Sequence, residues 1–134
     1  MATPCRDPVT IETHLAAYDR VVEVGIGRRT DLAASLADAG ATVTATDIYQ
    51  RDVPDGVRFV RDDIVDPTPQ IYAEADVIYA RNLPPELHRP ALEVARRANA
   101  DFLFTTLGGD QPAIPVERRT VREGTLYVAR APPR

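Results

Sequence analysis

At 134 residues and 44% apolar composition, the chain has material for one core and too little for two. Residues 1–134 are therefore expected to form one domain, with 1–8 and 131–134 frayed. All 16 basic side chains are arginine, with no lysine, against 20 carboxylates; the net charge of -4 and isoelectric point near 5.1 argue against general nucleic-acid binding. No apolar run approaches a membrane span, Arg6 and Asp7 stand where a secretory leader needs an apolar core, and Cys5, His14 and His88 are too sparse for a disulfide or a zinc site. A cytoplasmic protein without metal is expected.

Thr10 can cap a short helix on which Ile11, His14, Leu15 and Tyr18 make one apolar stripe, with His14 as a packing residue. A first strand over Val21 to Val24 stops at Gly25-Ile26-Gly27. The spacing of Leu32, Ala33, Leu36 and Ala37 then predicts a helix from about Arg28 to Ala39, closed by Gly40. Thr42 to Thr46 reads as the second strand, and a charged loop with Pro54 and Gly56 leads to the third at Val57 to Val60. Asp62 to Pro69 is a polar loop with room for a helical turn before Ile71 to Ala73, and Val77 to Ala80 is the fourth strand. Pro84-Pro85 suits a helix entry and Pro90 requires the regular helix to begin close to it, so the next helix is expected from about Glu86 or later to Ala98, ended by Asn99. Asp101 to Thr106 is the fifth strand, Leu107 to Pro115 a Gly/Pro-rich loop, and Arg119 to Arg122 with Leu126 to Arg130 a hairpin around Glu123-Gly124. The connections between the first five strands are too long for hairpins, which predicts an α/β fold: a three-layer Rossmann-like, mostly parallel sheet with a C-terminal antiparallel hairpin at its edge.

In such a sheet, ligands bind beyond the carboxyl ends of the strands. A strand that stops at two close glycines, opens into a helix and is answered about 20 residues later by Asp47 has the layout of a nucleotide-cofactor site. The glycines let the backbone pass close to the ligand, the helix N-terminus favours an electron-rich group, and the carboxylate can accept ribose hydroxyls. Glu23 is the most diagnostic residue, since a charge inside a buried strand is costly unless a ligand, an arginine or a backbone donor meets it.

Glu23-Val24-Gly25-Ile26-Gly27, Asp47 and Asp63-Ile64 resemble the motifs of Rossmann-like (class I), S-adenosylmethionine-dependent methyltransferases, with Arg29 at the place of the third alternating glycine. Around Val-Glu-Val-Gly-Ile-Gly-Arg, Asp62-Asp63-Ile64 and Leu107-Gly108-Gly109-Asp110 the chain is similar to the small archaeal uncharacterised protein family 0146, from about Thr10 to Asp110. The resemblance implies a methyltransferase-like fold and no established activity. It implies S-adenosylmethionine as the cofactor, held by Glu23, Gly25, Gly27, Asp47, Ile48, Asp63 and Ile64. Asn82-Leu83-Pro84-Pro85 resembles the Asn-Pro-Pro-aromatic motif of amino-group methyltransferases and makes Asn82 the candidate catalytic residue, although Leu83 interrupts the motif and Glu86 replaces the aromatic ring. The preferred reading of the prolines is punctuation of the turn between strand and helix.

Gly25 to Thr30 also matches the first two glycines of the nicotinamide-dinucleotide fingerprint, and Arg28, Arg29 and Arg51 could hold a phosphate. NAD or NADP in a non-enzymatic sensor that acts through a partner protein is the alternative. Glu23 favours the methyl donor, because the dinucleotide fingerprint carries an apolar residue there. In a third arrangement Arg29 pairs with Glu23 or Asp47 and no cofactor binds. The acceptor is unknown from sequence, and a homodimer is compatible with it.

The acidic, lysine-free composition reads as salt adaptation. Self-repulsion among the carboxylates is screened as ionic strength rises, so the melting temperature should increase from low to molar salt. A melting temperature that stays flat or falls in calorimetric scans across that range would assign the missing lysines to base composition instead.

Overall fold

The computed structural model describes residues 9–132, so Cys5 and the expected frayed residues 1–8, 133 and 134 lie outside it. In chain order the elements are α1 (Ile11–Leu15), β1 (Arg20–Val24), α2 (Asp31–Asp38), β2 (Thr42–Asp47), β3 (Val57–Arg61), α3 (Pro69–Tyr72) and β4 (Val77–Ala80). A 3-10 turn (Pro85–Leu87) then leads into α4 (His88–Ala98), β5 (Asp101–Phe104), β6 (Glu117–Val121) and β7 (Gly124–Ala129). The seven strands form one sheet in the order β3-β2-β1-β4-β5-β7-β6. The first five are parallel, while β7 is antiparallel to both β5 and β6. The expected antiparallel edge is thus refined: the reversed strand lies one place in, and the edge strand β6 runs with the parallel set. Strand order reverses between β1 and β4, which opens a crevice at their carboxyl ends.

Strand residues alternate between two cores. Val21, Val43, Val77, Tyr79 and Leu103 pack under α1 and α2, whereas Val22, Val24, Ile78, Phe102 and Phe104 pack under α3 and α4. Thr10 caps α1 by accepting the Thr13 N–H at 3.1 Å. Helix α2 begins at Asp31 rather than near Arg28. Gly25 and Gly27 both take positive φ, +68° and +60°, and hold the chain in a loop that the first helical hydrogen bonds follow only from Thr30. The regular part of α4 starts at His88, within the expected range, which leaves Pro90 in the first turn where an N–H is not needed. Asn99 closes it in the left-handed conformation, φ +56°. Strand β5 ends at Phe104 because Thr105 turns its hydroxyl and carbonyl toward the loop after β4, accepting the Asn82 N–H at 2.8 Å and the Leu83 N–H at 2.9 Å. Ala131, at the head of the tail, donates its N–H to Asp101 Oδ1 at 2.7 Å, and the Tyr18 hydroxyl donates to Oδ2 of the same carboxylate. Among the described residues no helix is long and apolar enough to cross a membrane, and no three potential metal ligands cluster.

His88 is a structural pin. It is fully buried against the Phe104 ring, 4.6 Å between centroids. The Ala113 N–H donates to its Nδ1 at 3.0 Å, so Nε2 carries the proton and donates to the Leu83 carbonyl at 2.8 Å. One side chain thereby ties the Pro84-Pro85 turn to the loop that follows β5. His88→Leu keeps the volume and strands the buried Leu83 carbonyl and the part-buried Ala113 N–H; it should lower stability by about 2 to 4 kcal/mol in urea unfolding, and a loss below about 1 kcal/mol would show that the pin is dispensable.

Candidate functional site

The crevice is built on the turn that ends β1. The Gly25 and Ile26 N–H groups both donate to the Thr46 carbonyl, at 2.8 and 3.0 Å, and the Gly27 N–H donates to Asp47 Oδ2 at 2.8 Å. A Cβ placed on either glycine meets no atom within 4 Å, so conformation rather than crowding demands glycine, and the turn stands beside open space. Asp47, buried at the end of β2, also accepts the Tyr49 N–H at 2.9 Å on Oδ1. Arg51 lies with Nε 3.4 Å from Oδ2 and its guanidinium 5.3 Å from the Tyr49 ring centroid. That Nε is buried and makes no hydrogen bond.

Glu23 is 3% exposed, in register between Ala45 of β2 and Tyr79 of β4. Its carboxylate accepts no hydrogen bond among the described residues. Burial pushes its pKa up to about 7, with the Arg81 guanidinium opposing the rise. Tyr79 beside it is fully buried with a hydroxyl that has no hydrogen-bond partner, and burial raises its pKa while Arg81 opposes. The charge facing Glu23 is therefore Arg81, from the end of β4, and the one facing Asp47 is Arg51. Arg28 and Arg29, exposed on the glycine loop, play neither part among the described residues, which removes the expected pairing of Arg29 with Glu23 or Asp47.

On the far side of Asp47 the loops after β2 and β3 are stitched together, the Asp62 N–H donating to the Asp47 carbonyl at 3.0 Å. Ile48 is 52% exposed, and Val65 next to the predicted Asp63-Ile64 pair is 62% exposed. Asp63 is exposed and its Oδ1 accepts the Val65 N–H at 3.0 Å, whereas the Ile64 side chain is buried in the α3/α4 core, leaving its backbone for any ligand. Glu23, Gly25, Gly27, Asp47, Ile48 and the Asp63 turn thus lie at the carboxyl ends of three adjacent strands, β1, β2 and β3.

Asn82 belongs to the other half. It is exposed, with φ +52°, and lines a cleft of about 880 Å³ over the ends of β4 and β5, bounded by α1, the start of α2 and the turn between β6 and β7. A left-handed non-glycine residue is strained, and Asn82 is held there by its own N–H to Thr105 Oγ1 and by the Leu83 N–H to the Thr105 carbonyl. Arg81 and Thr105 are the residues that sequence reasoning left without roles; Arg81 stands directly after an apolar strand, whereas Thr105 falls inside the expected fifth strand and gives no signal.

A family model described as Uncharacterised protein family (UPF0146) matches residues 5–131. A UPF0146 protein of Halobacterium salinarum is 54% identical over 124 residues, which is 92% of this chain and 96% of the relative. Among solved structures, the S-adenosylmethionine-dependent methyltransferase SibL in its apo form superposes with a TM-score of 0.60 at 18% identity, over 91% of this chain and 55% of that one. Burkholderia thailandensis 1,6-didemethyltoxoflavin-N1-methyltransferase, with bound 1,6-didemethyltoxoflavin and S-adenosylhomocysteine, gives 0.56 at 18% identity, over 90% and 58%. The chain spans little more than half the length of these two enzymes, and at such identity the likeness is one of fold: the Rossmann-like sheet of the class I methyltransferases. By the family match across nearly its whole length, the protein belongs to Uncharacterised protein family UPF0146.

Proposed function

We propose that the protein binds S-adenosylmethionine in the crevice at the ends of β1, β2 and β3 and transfers its methyl group to an acceptor held over β4 and β5. The observation that carries this reading is Glu23, a buried carboxylate with no hydrogen bond beside an open glycine turn. Such a group is poised to meet a cation, and the α-ammonium of the methyl donor is one; the pyrophosphate of a dinucleotide would be repelled by it. Asp47 uses lone pairs on both oxygens for backbone N–H groups and retains others for ribose hydroxyls. Ile48 and Val65 offer exposed apolar surface for an adenine ring, with Asp63 and the Ile64 backbone at its edge. When bound, the cofactor supplies an electrophilic methyl on a sulfonium. The chain's contribution is to hold donor and acceptor in line and exclude water, so no acid-base pair is required. In this reading Asn82, whose backbone Thr105 holds in the left-handed conformation, orients the acceptor.

A donor ammonium beside Glu23 lowers the pKa of that carboxyl. At pH 6.5, below the value of about 7, binding should therefore release about half a proton or more. Calorimetric titration of S-adenosylhomocysteine in buffers of different ionisation enthalpy reads this directly. Saturable binding of NAD or NADP alone would retire the methyl-donor reading in favour of the sensor.

The stability of the unliganded protein carries a second signature. The folded-state pKa of Glu23 lies above the ordinary 4.5, so its favourable contribution is complete below about pH 4.5 and is lost as pH rises through about 7. Glu23→Gln removes that dependence. The variant should gain roughly 3 kcal/mol over the parent between pH 5 and pH 8 while weakening S-adenosylhomocysteine binding by about 1 to 3 kcal/mol. A variant less stable than the parent at pH 8 would instead make Glu23 a structural partner of Arg81.

A further inference from the structure

We infer that the cleft over β4 and β5 binds a small polar molecule bearing an oxyanion, a phosphate or carboxylate group, between Arg29 and Arg81. The inference rests on the proposed methyl transfer for the fate of that molecule as acceptor, and on the cleft itself for its chemistry. A volume of about 880 Å³ suits a metabolite. The walls carry hydroxyls and charges, with Tyr127 the single aromatic side chain among the described lining residues, so an apolar acceptor would leave polar groups dry and unpaired.

The charges in the cleft are not equally available. Both oxygens of Glu123 take up the Ile11 N–H, at 3.2 and 3.4 Å, and Glu12 accepts the Ser35 hydroxyl at 2.9 Å. Asp31 stands in the first turn of the eight-residue helix α2, where the helix N-terminus offsets its charge. The arginines have no such local use. Arg29 makes no ion pair among the described residues and is exposed on the loop held by the two positive-φ glycines. Arg81 faces the buried Glu23 and the neutral Tyr79 hydroxyl beside it, so Glu23 is the one carboxylate set against it among the described residues. Once Glu23 is met by a donor ammonium, the charge of Arg81 is uncompensated toward the cleft, and two guanidiniums line that cleft together with Asn82. Forked guanidinium donors match the geometry of phosphate and carboxylate. The net charge of -4 and the three carboxylates at the rim make a small anion, and not a polyanion, the fitting occupant.

The test is a calorimetric titration of inorganic phosphate, in low-chloride buffer, into the full chain with and without saturating S-adenosylhomocysteine. Saturable phosphate binding is expected, weakened at least tenfold in Arg29→Gln and further in Arg29→Gln/Arg81→Lys, and unchanged in Arg96→Gln on the opposite helix layer. Arg29 is exposed, so its variant should keep the parent melting temperature, and Arg81→Lys keeps a cation for Glu23, so the double variant should fold as well. Equal phosphate affinity in parent and double variant, or tighter binding of methylammonium than of phosphate, overturns the anion site. Failure of S-adenosylhomocysteine to bind the parent retires the methyl-donor reading alone, because the phosphate titration without it still reads the arginines.

Discussion

Parallel strands end with backbone N–H groups that have no further strand to bond, and at the mouth of this sheet Asp47 absorbs two of them from two different loops. Its carboxylate fixes the Gly27 N–H on one oxygen and the Tyr49 N–H on the other, while its own carbonyl accepts from Asp62. Three loops after three adjacent strands are therefore tied through one residue. Charge-assisted bonds to backbone offset the burial of the carboxylate and leave the glycine turn rigid without filling it. A crevice prepared in this way loses little conformational freedom when a ligand arrives.

Glu23 obeys the opposite logic. It sits one strand away, equally buried, yet among the described residues the charge facing it is an arginine shared with the neighbouring cleft. A fold selected for stability alone would place an apolar residue at this buried position near the end of β1, as it does at Val22 and Val24. Two carboxylates at adjacent strand ends thus differ: Asp47 is held by backbone donors, whereas Glu23 accepts no hydrogen bond among the described residues. Arg81 connects the two halves of the mouth, since it faces Glu23 and also lines the cleft.

Local chemistry was legible in the sequence wherever the determinant lay within a few residues. Thr10 as a cap, Gly40 and Asn99 as helix stops, and β4 at Val77 to Ala80 all follow from neighbouring side chains. The parallel sheet and its closing hairpin follow from connection lengths. Boundaries set by distant partners were not legible: α2 starts late because of the glycine turn held by Asp47, and β5 stops early because Thr105 serves the Asn82 loop. The same limit applies to the site. Glu23 and Asp47 stand out from their positions in apolar strands, but that Arg81 and Arg51 face them, rather than Arg29, depends on which strands become neighbours. His88 gave no sign of its place under Phe104, because its partners at Leu83 and Ala113 flank it at unequal distances along the chain.

The two outermost strands of the sheet bear on how far it can grow. Strands β3 and β6 are five residues each; β3 carries Arg58 and Arg61 on its exposed positions, and β6 carries Arg118 and Arg119, with Glu117 bonded to Arg119 and Arg130. An open sheet invites a second copy to pair along its edge, and guanidinium groups brought face to face oppose it. In molar salt that repulsion fades within about 3 Å. The brevity of the edges then becomes the main obstacle to amyloid-like stacking, since five residues supply few ladder bonds to a newcomer. Lengthening either strand would expose the protein to aggregation under the same saline conditions that screen its acidic surface.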